Sequence, residues 1–373
     1  MRPAANRALA VVFLLAIGMP LAANLAGVDG ADPVAENREM AAFPAFDGSW
    51  HSARRYPAGL DAWFDDHFGF RAAFVRWNAR ASVEWFRTSS SASVFLGRNS
   101  WLFYADDGAV EDMGNVAAMP KGEVKNWREA LVRAHDWLER RAIAYVFTIV
   151  PDKHAAYPEE LPDGVRALGP TSRAQQVFSG LAGADFVVDV RDALASAKTR
   201  ERTYHLTDSH WNDRGLFVAY QALVEAARRQ DPSVPPAWPR SDFSDVSKVT
   251  DAGDLGGMLG LKRVLREERL LLAPGRPRLA RVVEPAGAEP TAEEGRLVTE
   301  IPGSTLPRAV IFRDSFMSPM VPFLSEHFSR AVYLWQNDFD ANAVLAERPD
   351  VVIQEIAGRH LYLFIPSPEL VPR

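Results

Sequence analysis

Ala309-Val310-Ile311-Phe312-Arg313-Asp314-Ser315-Phe316 runs from an apolar stretch into a charged turn that carries a hydroxyl. A short apolar run bounded by polar residues reads as a buried strand, with Ser315 at its carboxyl end. Working outward, similar runs occur at 142–150, ended by Pro151-Asp152-Lys153, and at 186–190, 331–334 and 351–353. Helical spacing separates them. Val124, Trp127, Leu131, Ala134 and Leu138 share one face of a helix over 123–141, and further helices are expected over 172–181 and 213–229. Strands alternating with helices imply an α/β layered fold with a largely parallel sheet flanked by helices. In such sheets ligands gather at the carboxyl ends of strands, where Ser315 and the Val150–Lys153 turn both fall. Val94–Leu96 and Trp101–Tyr104 flank Gly97–Ser100 as a hairpin-like pair of short strands. Residues 231–300 are Pro-rich and charged with weak periodicity, and read as an insertion or excursion.

A hundred residues before the serine, Tyr204-His205-Leu206-Thr207-Asp208-Ser209-His210-Trp211-Asn212 places a carboxylate two positions before an imidazole. In an extended segment residues i and i+2 share a face, so Asp208 and His210 are expected side by side. Ser315 as nucleophile, His210 as base and Asp208 as orienter would complete a hydroxyl-nucleophile site. Simpler roles compete. Thr207, Asp208, Ser209 and Asn212 are all good helix N-caps with a helix following, and Ser315 could cap a helix near Pro319. Such a turn also offers backbone N–H groups to an oxyanion. Asp314 is expected to fix the turn through backbone contacts. His205, Asp208 and His210 are metal-ligand types, but extended geometry turns His205 to the opposite face, so no metal is expected. The glycines of Gly253–Gly260 lack the preceding strand and lysine of a phosphate loop.

The 373 residues are 47% hydrophobic and 24% charged, with a formal net charge of -6 and no cysteine. The mild negative charge argues against nucleic-acid binding. Absence of cysteine excludes disulfides, thiolate metal sites and a cysteine nucleophile. Residues 8–28 carry no charge and follow Arg2 and Arg7. Their length matches the ~20 residues that cross a bilayer, and the basic flank predicts an N-in, C-out orientation. An uncleaved anchor is favoured over a signal peptide cleaved after Pro20 and its small neighbours. The domains expected are therefore 1–28 as anchor or signal, 29–91 as tether and aromatic-rich helix, and 92–373 as the main domain. The helix, over 61–86, is expected to pack on that domain; a membrane-surface or partner-docking helix is the alternative.

Taken in order, these motifs resemble the alginate O-acetyltransferase AlgJ/AlgX-like family, whose catalytic domain is a rearranged relative of the SGNH hydrolases. The resemblance rests on Glu36-Asn37-Arg38, Phe64–Arg71, Gly97–Tyr104, Pro151-Asp152-Lys153-His154, Asp208-Ser209-His210-Trp211, Gly253-Asp254-Leu255 and Arg313-Asp314-Ser315-Phe316. It implies a Ser315/His210/Asp208 triad, with the Asp-x-His element preceding the serine. It implies acetyl transfer to exopolysaccharide hydroxyls in the bacterial periplasm, at the inner membrane, with an integral membrane O-acyltransferase supplying the acetyl group and no cofactor. Arg313 stands where GDS-type motifs have glycine; it, Trp211 and Lys153 are expected to contact substrate. No position matches the block III asparagine. No room remains after 351–356 for a carbohydrate-binding module, so the layout is closer to AlgJ. Two other functions use the same residues differently: a carbohydrate acetyl esterase, with water as acceptor, and a non-catalytic polysaccharide-binding protein with Trp101, Tyr104, Trp211 and Trp335 as sugar platforms.

Overall fold

The computed structural model describes residues 2–26, 40–165, 167–289 and 295–371. Glu36-Asn37-Arg38 and the last two residues of the 8–28 run lie outside the described residues. The chain forms two compact units: residues up to Leu96 together with Asp251–Leu265, and Gly97–Thr250 together with Arg266 onward.

The strands, in chain order, are β1 (Val94–Leu96), β2 (Leu102–Tyr104), β3 (Ala144–Val150), β4 (Val187–Val188), β5 (Phe243–Asp251), β6 (Arg266–Pro274), β7 (Arg281–Glu284), β8 (Arg296–Glu300), β9 (Arg308–Arg313), β10 (Arg330–Trp335) and β11 (Val351–Ala357). The larger unit is built on a seven-stranded sheet in the order β4-β3-β11-β9-β10-β8-β7. Neighbours from β4 to β10 are parallel, while β8 and β7 add an antiparallel edge. The register aligns Val351 with Ala144 and Val352 with Val310. Every residue of β3 and β11 is buried. That is the signature of strands covered on both faces, and it explains why these segments read as unbroken apolar runs.

The helix Lys121–Glu139 lays Trp127, Leu131, Ala134 and Leu138 on the sheet, where they join Tyr145, Phe147, Ile149, Phe312 and Val352 in the core. Side chains alternate along a strand, so the intervening β3 residues face the other way. The helix Asp213–Gln230 also packs on β3. It starts at Asn212, whose side-chain oxygen accepts the N–H groups of Arg214 and Gly215. A Cβ at Gly215 would overlap the Thr203 carbonyl oxygen, so only glycine lets the preceding loop close on this helix.

Some local expectations are corrected by the structure. Tyr204–His210 is not an extended strand: a single antiparallel bridge joins Tyr204 to Trp211, His205 N–H donates to His210 O at 3.2 Å, and the residues between bend. The stretch 231–300, read as an insertion or excursion with weak periodicity, does hold regular structure. It contributes the two-stranded β5–β6 sheet and the β7–β8 edge. Most of β5 is solvent-exposed on both faces, so it lacks the apolar alternation by which a strand is read.

In the smaller unit the apolar segment is a helix, Arg2–Leu25. The single helix expected over 61–86 is two. Trp50–His67 is capped by the Ser49 hydroxyl accepting Ser52 N–H, and Arg71–Glu84 follows after a break at which Phe70 takes a left-handed conformation, φ 65°.

Candidate active site

β9 delivers the serine. Its last residue, Arg313, is followed by Asp314, which caps a 3-10 helix over Ser315–Met320 by accepting Phe316 N–H at 3.0 Å. The other carboxylate oxygen of Asp314 accepts Ala357 N–H at 2.7 Å, and His360 Nδ1 lies 3.1 Å from it. Asp314 N–H in turn donates to Glu355 Oε2 at 3.1 Å. The serine turn is thus fastened to the end of the adjacent parallel strand, β11. Ionisation follows from this packing. Burial opposes charge on Asp314, but the His360 imidazole and the Arg359 guanidinium overcome it and hold the carboxyl well below its usual range. For Glu355 burial, then the Asp314 charge, push the pKa far up against a smaller opposing pull from Arg313, and so favour the neutral acid. Ser315 itself is half-buried.

The bent 204–211 segment delivers the dyad. Asp208 Oδ1 accepts both the backbone N–H of His210 at 3.2 Å and its ring Nδ1–H at 2.8 Å. An Asx-type turn therefore achieves what extended backbone was expected to do. Burial again opposes ionisation of Asp208, and the hydrogen bond and charge of His210, aided by His205 and Arg269, reverse it, leaving the carboxyl far below its ordinary range. With Nδ1 the donor to Asp208, Nε2 carries the lone pair, the tautomer a general base requires.

Three groups shape that bend, Lys153 and Glu267 buried and Arg269 half-buried. Lys153, 3% exposed at the end of β3, donates to the carbonyl oxygens of His205 at 3.0 Å, Leu206 at 3.1 Å and Asp208 at 2.6 Å. Glu267 of β6 accepts Leu206 N–H at 2.6 Å and Thr207 N–H at 2.9 Å. Burial alone would raise its pKa, but hydrogen bonds from His205 and Thr207 bring it down to about 2. Arg269, also of β6, places Nη2 3.3 Å from Asp208 Oδ2. Neither Glu267 nor Arg269 was legible as a site residue, because β6 itself was read as part of an excursion.

The dyad and the serine turn meet through Phe316. Its ring lies edge-on to the His210 imidazole at 4.9 Å and to Trp211 at 5.5 Å, and Trp211 Nε1–H donates to Phe316 O at 2.9 Å. The residue adjoining Ser315 is thus in contact with His210, although no hydrogen bond joins the two side chains among the described residues. The residues expected to touch substrate lie inward: Trp211 is 1% exposed, and Arg313 is fully buried, donating to Ser318 Oγ at 2.6 Å beneath the Trp335 ring. Of the expected sugar platforms, Trp335 is the most open, at 36%. Asp112, Asp152 and His154 bring ligand atoms within 4.8 Å of one another. Those atoms are already engaged: His154 Nε2 sits 2.8 Å from Asp112 Oδ2, and Asp152 is paired with Arg359.

A family model described as an SGNH hydrolase-like domain of the acetyltransferase AlgX matches residues 94–335, a span that holds Asp208, His210 and Ser315. The chain belongs to this family. It is 29% identical over 187 residues to the probable alginate O-acetylase AlgJ of Pseudomonas syringae pv. tomato, a stretch covering 50% of this chain and 44% of that one. It is 31% identical over 143 residues to the protein of the same description from Pseudomonas putida, covering 37% and 34%. The chain thus spans less than half the length of the relatives it matches. PatB1 of Bacillus cereus, solved with a sulfonyl adduct, shares the fold at 17% identity and a TM-score of 0.54, over 72% of this chain and 97% of that one.

Proposed function

We propose that this chain is a periplasmic O-acetyltransferase that moves acetyl groups to polysaccharide hydroxyls through an acetyl-serine intermediate. The observation that carries the reading is the Asp208–His210 hydrogen bond of 2.8 Å held against the turn that presents Ser315. Ser315 Oγ attacks the acetyl carbonyl while His210 Nε2 takes its proton. The tetrahedral intermediate collapses, the leaving group departs with that proton, and the acetyl-serine ester remains. A sugar hydroxyl then gives its proton to His210 and attacks the ester, and Ser315 recovers the proton as the acetylated sugar leaves. Asp208, kept ionised by its surroundings, orients the imidazole and stabilises the imidazolium. Catalytic hydrogen bonds often tighten only once substrate is bound, so the serine–imidazole contact forms in the donor complex.

Lys153, Glu267 and Arg269 hold the bend that makes the dyad; they are positioning residues. The acetyl group would come from an integral membrane O-acyltransferase, and the apolar Arg2–Leu25 helix would keep the chain at the same membrane. Acetylated oligosaccharide, detected by mass spectrometry after incubation with an acetyl ester and an oligosaccharide, tests the reading. Product that forms with wild type and disappears with Ser315→Ala supports it. Donor hydrolysis with no acetylated sugar at any acceptor concentration would make the chain an esterase.

A further inference from the structure

Large aromatic side chains are exposed on the smaller unit: Phe74 at 55%, Trp77 at 62%, Trp85 at 67% and Phe86 at 70%. On a 3.6-residue helix, positions 74, 77 and 85 fall within one narrow arc. They form a ridge, with Trp77 and Trp85 edge-on at 6.2 Å and Phe74 continued by Phe68 at 6.1 Å and Phe64 beyond it at 5.8 Å. A soluble protein rarely leaves such a contiguous apolar surface uncovered.

What covers it follows from the neighbouring helix. Gly69, in the break between the two aromatic helices, packs directly on the end of the apolar helix: a Cβ there would overlap the Pro20 carbonyl oxygen and sit 2.7 Å from the Ala23 Cβ. Asn24 Nδ2 also donates to the His67 carbonyl. The stretch from Asn6 to Asn24 is long and apolar enough to cross a bilayer, and its large side chains are exposed. If it spans, its end marks the water–lipid boundary, and Gly69 holds the aromatic ridge at that level. Trp is suited to this boundary, and Trp and Phe together to the apolar face of a helix lying in it. Charge agrees: residues 71–87 carry Arg71, Arg76, Arg80 and Arg87 against the single acid Glu84.

We infer that the Phe74–Trp77–Trp85–Phe86 face is a second membrane contact, lying in the outer leaflet of an anionic bilayer beside the spanning helix. The contact extends the anchoring reading above, on which it depends. A surface helix of this kind buries its apolar face ~5–10 Å into the headgroup–acyl boundary. Two contacts fix the smaller unit's orientation on the membrane, where a spanning helix alone would leave it free to swivel.

The chain has no cysteine, so single cysteines can be placed and labelled cleanly. Full-length Phe74→Cys and Phe86→Cys, with Lys125→Cys as a reference from an exposed site on the other unit, would be nitroxide-labelled and reconstituted in phosphatidylglycerol–phosphatidylethanolamine vesicles. The proposal expects higher collision with dissolved oxygen than with a water-soluble nickel chelate at 74 and 86, and the reverse at 125. Water-like accessibility at 74 and 86 in chains that resist a carbonate wash overturns the surface contact while the anchor stands. Chains stripped from the vesicles by carbonate overturn the anchor and this contact with it. Labels at exposed sites leave folding intact, which circular dichroism checks.

Discussion

The Lys153 ammonium lies 2.6 Å from the carbonyl oxygen of Asp208, the residue that orients the imidazole, and its other hydrogens reach the carbonyls of His205 and Leu206. One buried cation therefore sets the backbone path on which the proposed acid–base pair depends. Lys153→Met removes the donors and leaves buried carbonyl groups without them, a cost of about 1–3 kcal/mol for an unsatisfied buried group. Chemical denaturation should show that loss. Turnover of an acetyl ester should fall through kcat more than through KM, because the loop and not a substrate contact is disturbed. A rise in KM alone would place Lys153 at the substrate.

Asp208→Asn keeps the shape of the turn but presents an amide to Nδ1, favouring the wrong tautomer. By analogy with the triad of serine proteases, kcat should fall by roughly 10³–10⁴-fold, and the melt should also drop, because the depressed carboxyl pKa means that the charge stabilises the fold. Ester hydrolysis rates measured beside a thermal melt check both parts. A loss under about tenfold would mean that His210 does not act as a base oriented by Asp208.

Much of this architecture was legible because it rests on buried strands. The runs ending at Val150 and Phe312 are apolar since β3 and β9 are covered on both faces, and a strand end is where a serine such as Ser315 is placed. Asp208 and His210 were found together by their spacing, yet for a different reason than expected. The turn that joins them is imposed by Lys153 and Glu267, whose contacts are distant in sequence and leave no local signal. β5 escaped notice because most of its residues face solvent, and β6 because it opens on the charged run Arg266-Glu267-Glu268-Arg269. The aromatic periodicity of 61–86 announced an apolar face, but periodicity cannot tell whether protein or lipid covers it.

Glu355 gives a stability signature that runs opposite to that of most carboxylates. Burial and the nearby Asp314 charge raise its folded pKa well above the ordinary value, so between the two the folded state holds a proton that the unfolded state has lost. By linkage, its contribution is fully present below ~4.3, the unfolded value for glutamate, and is lost as pH rises toward the folded pKa. Glu355→Gln mimics the neutral acid without titrating. Its stability relative to wild type should therefore improve as pH rises above 5, levelling off beyond the folded pKa, in a series of calorimetric melts from pH 5 to 9. A constant difference across that range would mean that Glu355 is ionised in the folded chain.

Gly215 lets the helix Asp213–Gln230 meet the loop that carries the dyad. Gly215→Ala drives a methyl into the Thr203 backbone, with 3.1 Å left to its Cβ as well. Overpacking of this kind costs about 1–3 kcal/mol, and the melting temperature should drop accordingly. An unchanged melt would show that loop and helix are not packed so closely.

The central claim is that Ser315 becomes an acyl carrier. Brief incubation with an activated acetyl ester, acid quench and peptide mapping by mass spectrometry tests it most directly. The expected result is one acetyl group on the peptide holding Ser315, absent in Ser315→Ala and accumulating when no sugar is supplied. Acetylation at another residue, or ester turnover unchanged in Ser315→Ala, would contradict the account.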